Sequence, residues 1–239
     1  MKKLRLNRII LLVLVGIPLV TMAQFEPNYE YSTEFTWGIN KNTNSGLIGG
    51  LALKHGRSKG DNIFETFGLE FQNVKHPKEN RYVAQRTGTS FIWGKQNYLF
   101  VIRTNYGREI QLSKKAPQQG VQIIAGAAAG PSFGLESPYY ILIASGDYVP
   151  YDPNSFPSIF TIDGSGKVFR SIGNAKIVPG INAKMGLTFE FGSFRNNVAG
   201  VEIGIAAEIF TRKIIIMPTQ ENRAFYPSLY FTFFWGTRR

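Results

Sequence analysis

An alternation of apolar and polar side chains with a period of two runs through most of this chain, and it limits the fold more than any other feature. Tyr29, Tyr31, Thr33, Phe35, Trp37 and Ile39 alternate with Glu30, Ser32, Glu34, Thr36, Gly38 and Asn40. Ile181, Ala183, Met185, Leu187, Phe189 and Phe191 alternate with Asn182, Lys184, Gly186, Thr188, Glu190 and Gly192. Val201, Ile203, Ile205, Ala207 and Ile209 do the same against Glu202, Gly204, Ala206 and Glu208. In a strand the two sets project from opposite faces, one apolar and one polar or small. A 3.6-residue period fits none of these stretches. Aromatics at 14% and 25 glycines agree with a β-rich chain turned tightly many times.

The runs predict ten strands, near 29–40, 46–56, 62–73, 87–94, 97–111, 120–134, 138–145, 179–194, 198–212 and 224–235. The fourth and seventh alternate least, and without them the count is eight. Short connections fall around 57–61, 94–97, 135–138 and 195–197, whereas 74–86, 146–178 and 212–223 are long, with 41–45 and 112–119 between. Tight turns at one end and long loops at the other are the mark of a transmembrane barrel. Tyr29, Tyr31, Trp93, Tyr98, Tyr139, Phe194, Phe234 and Trp235 are expected at the turn end, and Trp37, Tyr106, Phe210, Phe225 and Tyr226 towards the other. The expected fold is thus all-β, a single transmembrane antiparallel up-and-down barrel of ten strands with eight as the fallback. A soluble barrel also alternates. It would expose the acids Glu30, Glu34, Glu70, Glu190, Glu202 and Glu208, bury the girdle aromatics, and leave the loop asymmetry unexplained.

The first 23 residues read as a secretory leader. Lys2, Lys3, Arg5 and Arg8 precede an apolar run from Ile9 to Val20, and Thr21-Met22-Ala23 offers a cleavage site before Gln24. Twelve apolar residues reach only about 18 Å as a helix, short of a roughly 30 Å hydrocarbon core. Residues 24–239 then form one barrel domain, with too few residues before the first strand for an energy-coupling plug. Without cysteine there is neither a disulfide framework nor a lipidated Cys anchor. Losing four basic leader residues lowers the net charge from +11 to +7, and nothing in the pattern points to nucleic acid.

Chemistry is sparse. His55 falls at the turn end of the second strand, and His76 in a long loop with no serine and acid spaced to serve it. Asp147, Asp152 and Asp163 share the largest loop without calcium-loop spacing, and Pro150, Pro153 and Pro157 suggest a fixed lid. Gly164-Ser165-Gly166 has no strand–helix context for a phosphate loop. No cofactor, metal site or catalytic residue is expected, and a surface-facing hydrolase ranks third among the functions considered. The inward face is richer, with Glu30, Glu34, Glu70, Glu109, Glu190, Glu202 and Glu208 against Lys54, Arg103 and Lys184. In a narrow lumen such groups persist when paired. A charge network of Glu34, Glu70, Arg103, Lys184, Glu190, Glu202 and Glu208 that plugs the barrel is preferred to a cation path.

The expected outer loops carry 13 basic residues, Lys114 and Lys115 among them, against five acids. Lipopolysaccharide phosphates, or an anionic partner, would complement them. The same loops hold Tyr148, Tyr151, Phe156, Phe160, Phe169, Ile215 and Met217, a candidate partner surface that self-packing of the loops would equally account for.

Asn73-Val74-Lys75-His76-Pro77-Lys78-Glu79, Val178-Pro179-Gly180, Lys213-Ile214-Ile215-Ile216-Met217-Pro218 and Phe234-Trp235-Gly236-Thr237-Arg238-Arg239 resemble landmarks of an uncharacterised outer-membrane barrel family of Bacteroidota. The Ala23-Gln24 junction is similar to leader sites of that phylum. The resemblance implies an outer-membrane location, with accessory subunits of the barrel-assembly machine (BAM complex) and of the type IX secretion system as functional analogues. The expected role is a non-enzymatic structural subunit of an outer-membrane complex, with a small passive channel as the alternative.

Overall fold

The computed structural model describes residues 32–46, 49–60, 62–113, 120–166, 171–191 and 196–239. The expected leader and Tyr29 to Tyr31 lie outside them. Eight antiparallel strands close a barrel: β1 (Thr33–Asn42), β2 (Gly50–Ser58), β3 (Ile63–Val74), β6 (Asn97–Ser113), β7 (Gln122–Pro138), β11 (Lys176–Phe191), β12 (Asn197–Phe210) and β13 (Phe225–Arg238). Two small sheets stand in the connections. One pairs β4 (Arg81–Val83) with β5 (Ser90–Ile92), and the other orders β10 (Ile162–Ser165), β8 (Tyr140–Ile143) and β9 (Tyr148–Pro150). Among the described residues no helix is long and apolar enough to cross a membrane.

The fallback count of eight is therefore the observed one. The expected strands 87–94 and 138–145 do not join the barrel; their alternation belongs to β5 and β8. Removing both preserves the even count but reverses the sense of everything between them. Gly94–Asn97 and Leu135–Pro138 lie at the loop end, and Ser113 and Val121 lie at the turn end. Trp93, Tyr98 and Tyr139 consequently belong to the loop end, and Lys114 and Lys115, expected in an outer loop, lie outside the described residues. Tyr106 sits on the turn-end half of β6. The last strand continues past Trp235 to Arg238.

Each barrel strand keeps the period of two seen in the sequence. On β1, Glu34, Thr36, Asn40 and Asn42 are buried towards the lumen while Phe35, Trp37 and Ile39 are exposed outside. The same holds on β12 and β13, where Glu202, Glu208, Ser228 and Thr232 are buried and Ile203, Ile205, Leu229 and Phe231 are exposed. The barrel is apolar outside and polar inside, the inverse of a water-soluble one.

The register fixes the tilt. Cross-strand partners lead from Thr33 through Arg57, Glu65, Arg108, Ala127, Met185, Ile205 and Leu229 to Thr43, whose N–H donates to Leu229. One circuit thus climbs ten residues along β1, from 33 to 43, and a stagger of this size tilts the strands by roughly 35–45°. Glycines on the inner face make room for large side chains. A Cβ on Gly186 would fall 2.6 Å from the Tyr230 hydroxyl, and one on Gly204 2.8 Å from its ring.

Candidate functional site

Converging functional groups are concentrated in the lumen, where an ion-pair ladder runs from the turn end to the loop end. Lowest is Arg238, whose Nε lies 2.6 Å from Glu34 and whose Nη1 lies 2.7 Å from Glu190. Above it Lys54 Nζ meets Glu109 at 2.7 Å and sits over the Phe234 ring. Lys184 bridges Glu70 at 2.7 Å and Glu202 at 3.3 Å, and Tyr230 donates to Glu202 at 2.5 Å. Arg103 forms a fork with Glu208 through bonds of 3.1 and 2.9 Å and reaches Glu70 at 3.6 Å. Arg212 and Glu136 make the last rung at the mouth. Below that rung, among the described residues, six carboxylates face four bases, which is why Arg238, Lys184 and Arg103 are each shared by two acids. Pairing of this kind is what permits charge in a desolvated interior.

All seven residues expected to form the lumen network point inwards, and the structure divides them into two groups. Glu70, Arg103, Lys184, Glu202 and Glu208 form one connected chain. Glu34 and Glu190 are held apart from it by Arg238, a base absent from the expectation. Between the rungs lies a cavity of about 40 Å³ lined by Thr66, Glu70, Asn105, Lys184 and Tyr230, among others. That is room for about three water molecules.

Above the ladder the mouth is closed by apolar packing. Val74, Leu99, Val101, Val178 and Phe210 meet Ile214, Ile216 and Met217 of the connection 211–224. Two hydrogen bonds fix this plug, from Gln96 N–H to the Ile216 carbonyl at 2.8 Å and from Ile215 N–H to the Glu136 carboxylate at 3.1 Å. Asn222 accepts from the N–H groups of Ile216 and Met217 and donates to the Met217 carbonyl.

A second core stands on the loops themselves. Ala84, Phe91, Tyr139, Ile141, Tyr151 and Ile162 bury one another between the two small sheets. Arg86 forms a fork with Asp163, and Thr87 and Thr89 donate to the Asp163 carbonyl. Asp163 thereby clamps one loop to the other. Asp152 accepts from Asn154 and Ser155 within a turn, and Asp147 accepts from Ser145, so the three aspartates stay apart. His76 is equally structural. Its Nδ1 accepts from Lys78 N–H, which leaves Nε2 to donate to the Glu221 carbonyl at 3.1 Å and tie two loops together. Beneath them Lys95, fully buried, holds Glu79 at 2.8 Å and lies 4.5 Å from the centre of the Tyr98 ring. Burial pulls its ammonium below the ordinary lysine range in spite of Glu79. Nothing periodic in the sequence flags this pair.

The candidate partner surface is divided. Tyr151 and Met217 are buried in the two cores and offer no outward contact; Phe156 is half-buried. Tyr148, Phe160 and Ile215 are exposed, Phe160 by 78%. Phe169 lies outside the described residues.

No family model matches the chain, and no curated protein matches it. Among solved structures it is similar to the N-terminal β-barrel domain of OprF from Pseudomonas aeruginosa, with 9% identity over 87% of this chain and 98% of that one, at a TM-score of 0.41. It is similar to Ail, the attachment invasion locus protein of Yersinia pestis, with 8% identity over 87% and 97% at 0.39. Neisserial surface protein A, from Neisseria, gives 9% identity over 86% and 94% at 0.37.

Proposed function

We propose that this chain is an integral outer-membrane β-barrel, closed to solute passage, that serves as an accessory structural subunit of an outer-membrane assembly or secretion complex. An apolar outer wall around a charged lumen supports the membrane location, since lipid favours one surface and excludes the other. Both ends of the barrel sheet and the turns share one end, so the long loops face outwards from the cell.

The closed lumen is the single observation that carries the reading. Paired side chains occupy it along its length and the 211–224 plug covers its mouth, which argues against the passive-channel alternative. A 40 Å³ space is too small for an organic substrate, and the proposal includes no enzymatic chemistry. What remains available is the loop platform, rigid beneath and apolar at Tyr148, Phe160 and Ile215. Protein reconstituted in planar bilayers should show no unitary conductance; regular open steps would restore the channel reading. Purified from native membranes, it should retain a protein that Phe160→Ser releases without altering heat-dependent gel mobility. A monomer with nothing bound would sink the subunit role.

A further inference from the structure

On two adjacent strands the apolar outer wall is interrupted by charge near the turn end. The outward row of β6 reads Tyr106, Arg108, Ile110, Leu112, and that of β3, in the same direction, reads Phe67, Glu65, Ile63. Arg108 and Glu65 are cross-strand partners, and Arg57 of β2 follows in the same row. Lys59 Nζ lies 3.1 Å from Glu65, which also accepts from the Tyr106 hydroxyl. Three steps along the climbing row from Thr33 raise Arg108 by nearly four residues, to the level of Trp37. Trp37 packs against Trp235 at 5.3 Å, as an aromatic girdle does at a membrane boundary.

Below that boundary hangs an apolar skirt. Ile110 and Leu112 are 51% and 59% exposed, with Ile63 and Val121 exposed beside them. At the depth of Leu112 the outward positions of β1, β12 and β13 are polar, namely Thr33, Asn197 and Thr237, while the exposed Phe35 and Phe191 stand level with Ile110 and Ile63. No membrane plane suits the skirted wall. A boundary drawn at the charges leaves the skirt in water, and one drawn below the skirt takes Arg108 and Glu65 into hydrocarbon. Tilting the barrel does not help, because charge and skirt lie one above the other on the same strands.

A protein surface covering both removes both costs. Among the described residues three bases, Arg57, Lys59 and Arg108, rim the skirt with one acid, Glu65, so the complementary surface is acidic. We propose that the skirt docks an acidic, amphipathic segment of a second protein at the periplasmic face. Its apolar side lies on Ile110 and Leu112, and its carboxylates face Arg57 and Arg108. This inference rests on the outer-membrane reading and concerns the end opposite the loop platform.

The test uses the full chain in its native cells, with a photo-crosslinking residue at Leu112. Ile203, on the far wall, serves as the lipid-facing control, and Phe160 probes the platform separately. Leu112 should yield a protein adduct whose peptide, sequenced by mass spectrometry, carries carboxylates beside apolar residues. Ile203 should yield none. Charge reversal by R57E/R108E should abolish the adduct while heat-dependent gel mobility persists. The inference is overturned by adducts with lipid alone or with a second copy of this chain, by a peptide lacking carboxylates, by an adduct indifferent to charge reversal, or by no adduct. Capture at Phe160 without capture at Leu112 ends this inference and leaves the platform reading intact. Capture at neither ends both.

Discussion

Replacing Arg103 by Met asks how much of the barrel's stability resides in the ladder. The substitution removes both bonds to Glu208, at 3.1 and 2.9 Å, and the weaker approach to Glu70. Glu70 keeps Lys184 at 2.7 Å and Gln72 at 3.1 Å. Glu208 is only 1% exposed and has no other ion pair among the described residues. A carboxylate stranded in this way costs about 3–5 kcal/mol. With a urea slope of about 2 kcal/mol/M, the midpoint should fall by roughly 1.5–2.5 M. Glu208→Met should cost less, because Arg103 retains Glu70. The double variant R103M/E208M should recover most of the loss, since an apolar pair of similar volume replaces a buried ion pair at little cost. Reversible unfolding in lipid vesicles, followed by tryptophan fluorescence, measures all three. A change within about 0.5 kcal/mol for Arg103→Met, or a double variant costing the sum of the singles, refutes burial of the pair.

In the loops, Lys95→Met should release the connection 75–96 by leaving Glu79 buried without its base, and E79L/K95M should restore docking, as judged by protease resistance. Burial holds the Lys95 pKa below its ordinary 10.5, so the undocked loop binds more protons in the window beneath that value. Docking should therefore strengthen as pH rises towards about 10.5 and then level off. Trp93 fluorescence in W37F/W235F reports this, and weakening across the window would contradict it. Cysteine at Ser165 should react with a membrane-impermeant maleimide on intact cells, and cysteine at Val121 or Asn197 only after the outer membrane is opened; the reverse pattern overturns the orientation. Gly204→Val places a branched side chain where a Cβ alone would stand 2.2 Å from the Met185 carbonyl oxygen and 2.8 Å from the Tyr230 ring. It should cost about 1–3 kcal/mol through overpacking, and an unchanged urea midpoint would contradict those contacts.

Alternation made the inward set legible because it depends only on parity, and parity survives errors in strand ends. Glu34, Glu70, Arg103, Lys184, Glu190, Glu202 and Glu208 all project inwards even though two strands assigned to the barrel lie elsewhere. Parity was also the signal that could have found Arg238, which shares the face of Thr232 and Phe234, two repeats of the pleat beyond Phe234. The expected strand stops at Trp235, three residues short of it. Strand number was less legible because short loop hairpins alternate too. Length separates the two kinds, since β5 and β8 have 3 and 4 residues and the barrel strands 9 to 17. A 17-residue strand such as β6 or β7 outruns its apolar outer face and continues into the platform or below the girdle. The pairings Lys95–Glu79 and Arg86–Asp163 join residues of irregular segments and leave no periodic trace.

The loops bury what a folded platform requires and leave other apolar groups outside it. Tyr151, Ile162, Ile214, Ile216 and Met217 are sequestered in two cores, and Asp163 and Asn222 fix the backbone around them. A chain able to bury that much apolar surface leaves Phe160 78% exposed in the middle of a short 3₁₀ turn. Ser158 caps that turn by accepting from the Phe160 N–H, so the ring is held on fixed backbone. An apolar group presented on a rigid support loses little conformational entropy when a partner covers it, which favours binding more than the same group on a loose loop. Removing a long stretch such as 150–170 would take Tyr151, Ile162 and Asp163 with it and dismantle the platform. Loss of a partner would then say nothing about contact. A single change at Phe160 leaves both cores and the Asp163 clamp in place, and so separates a docking side chain from the scaffold that carries it.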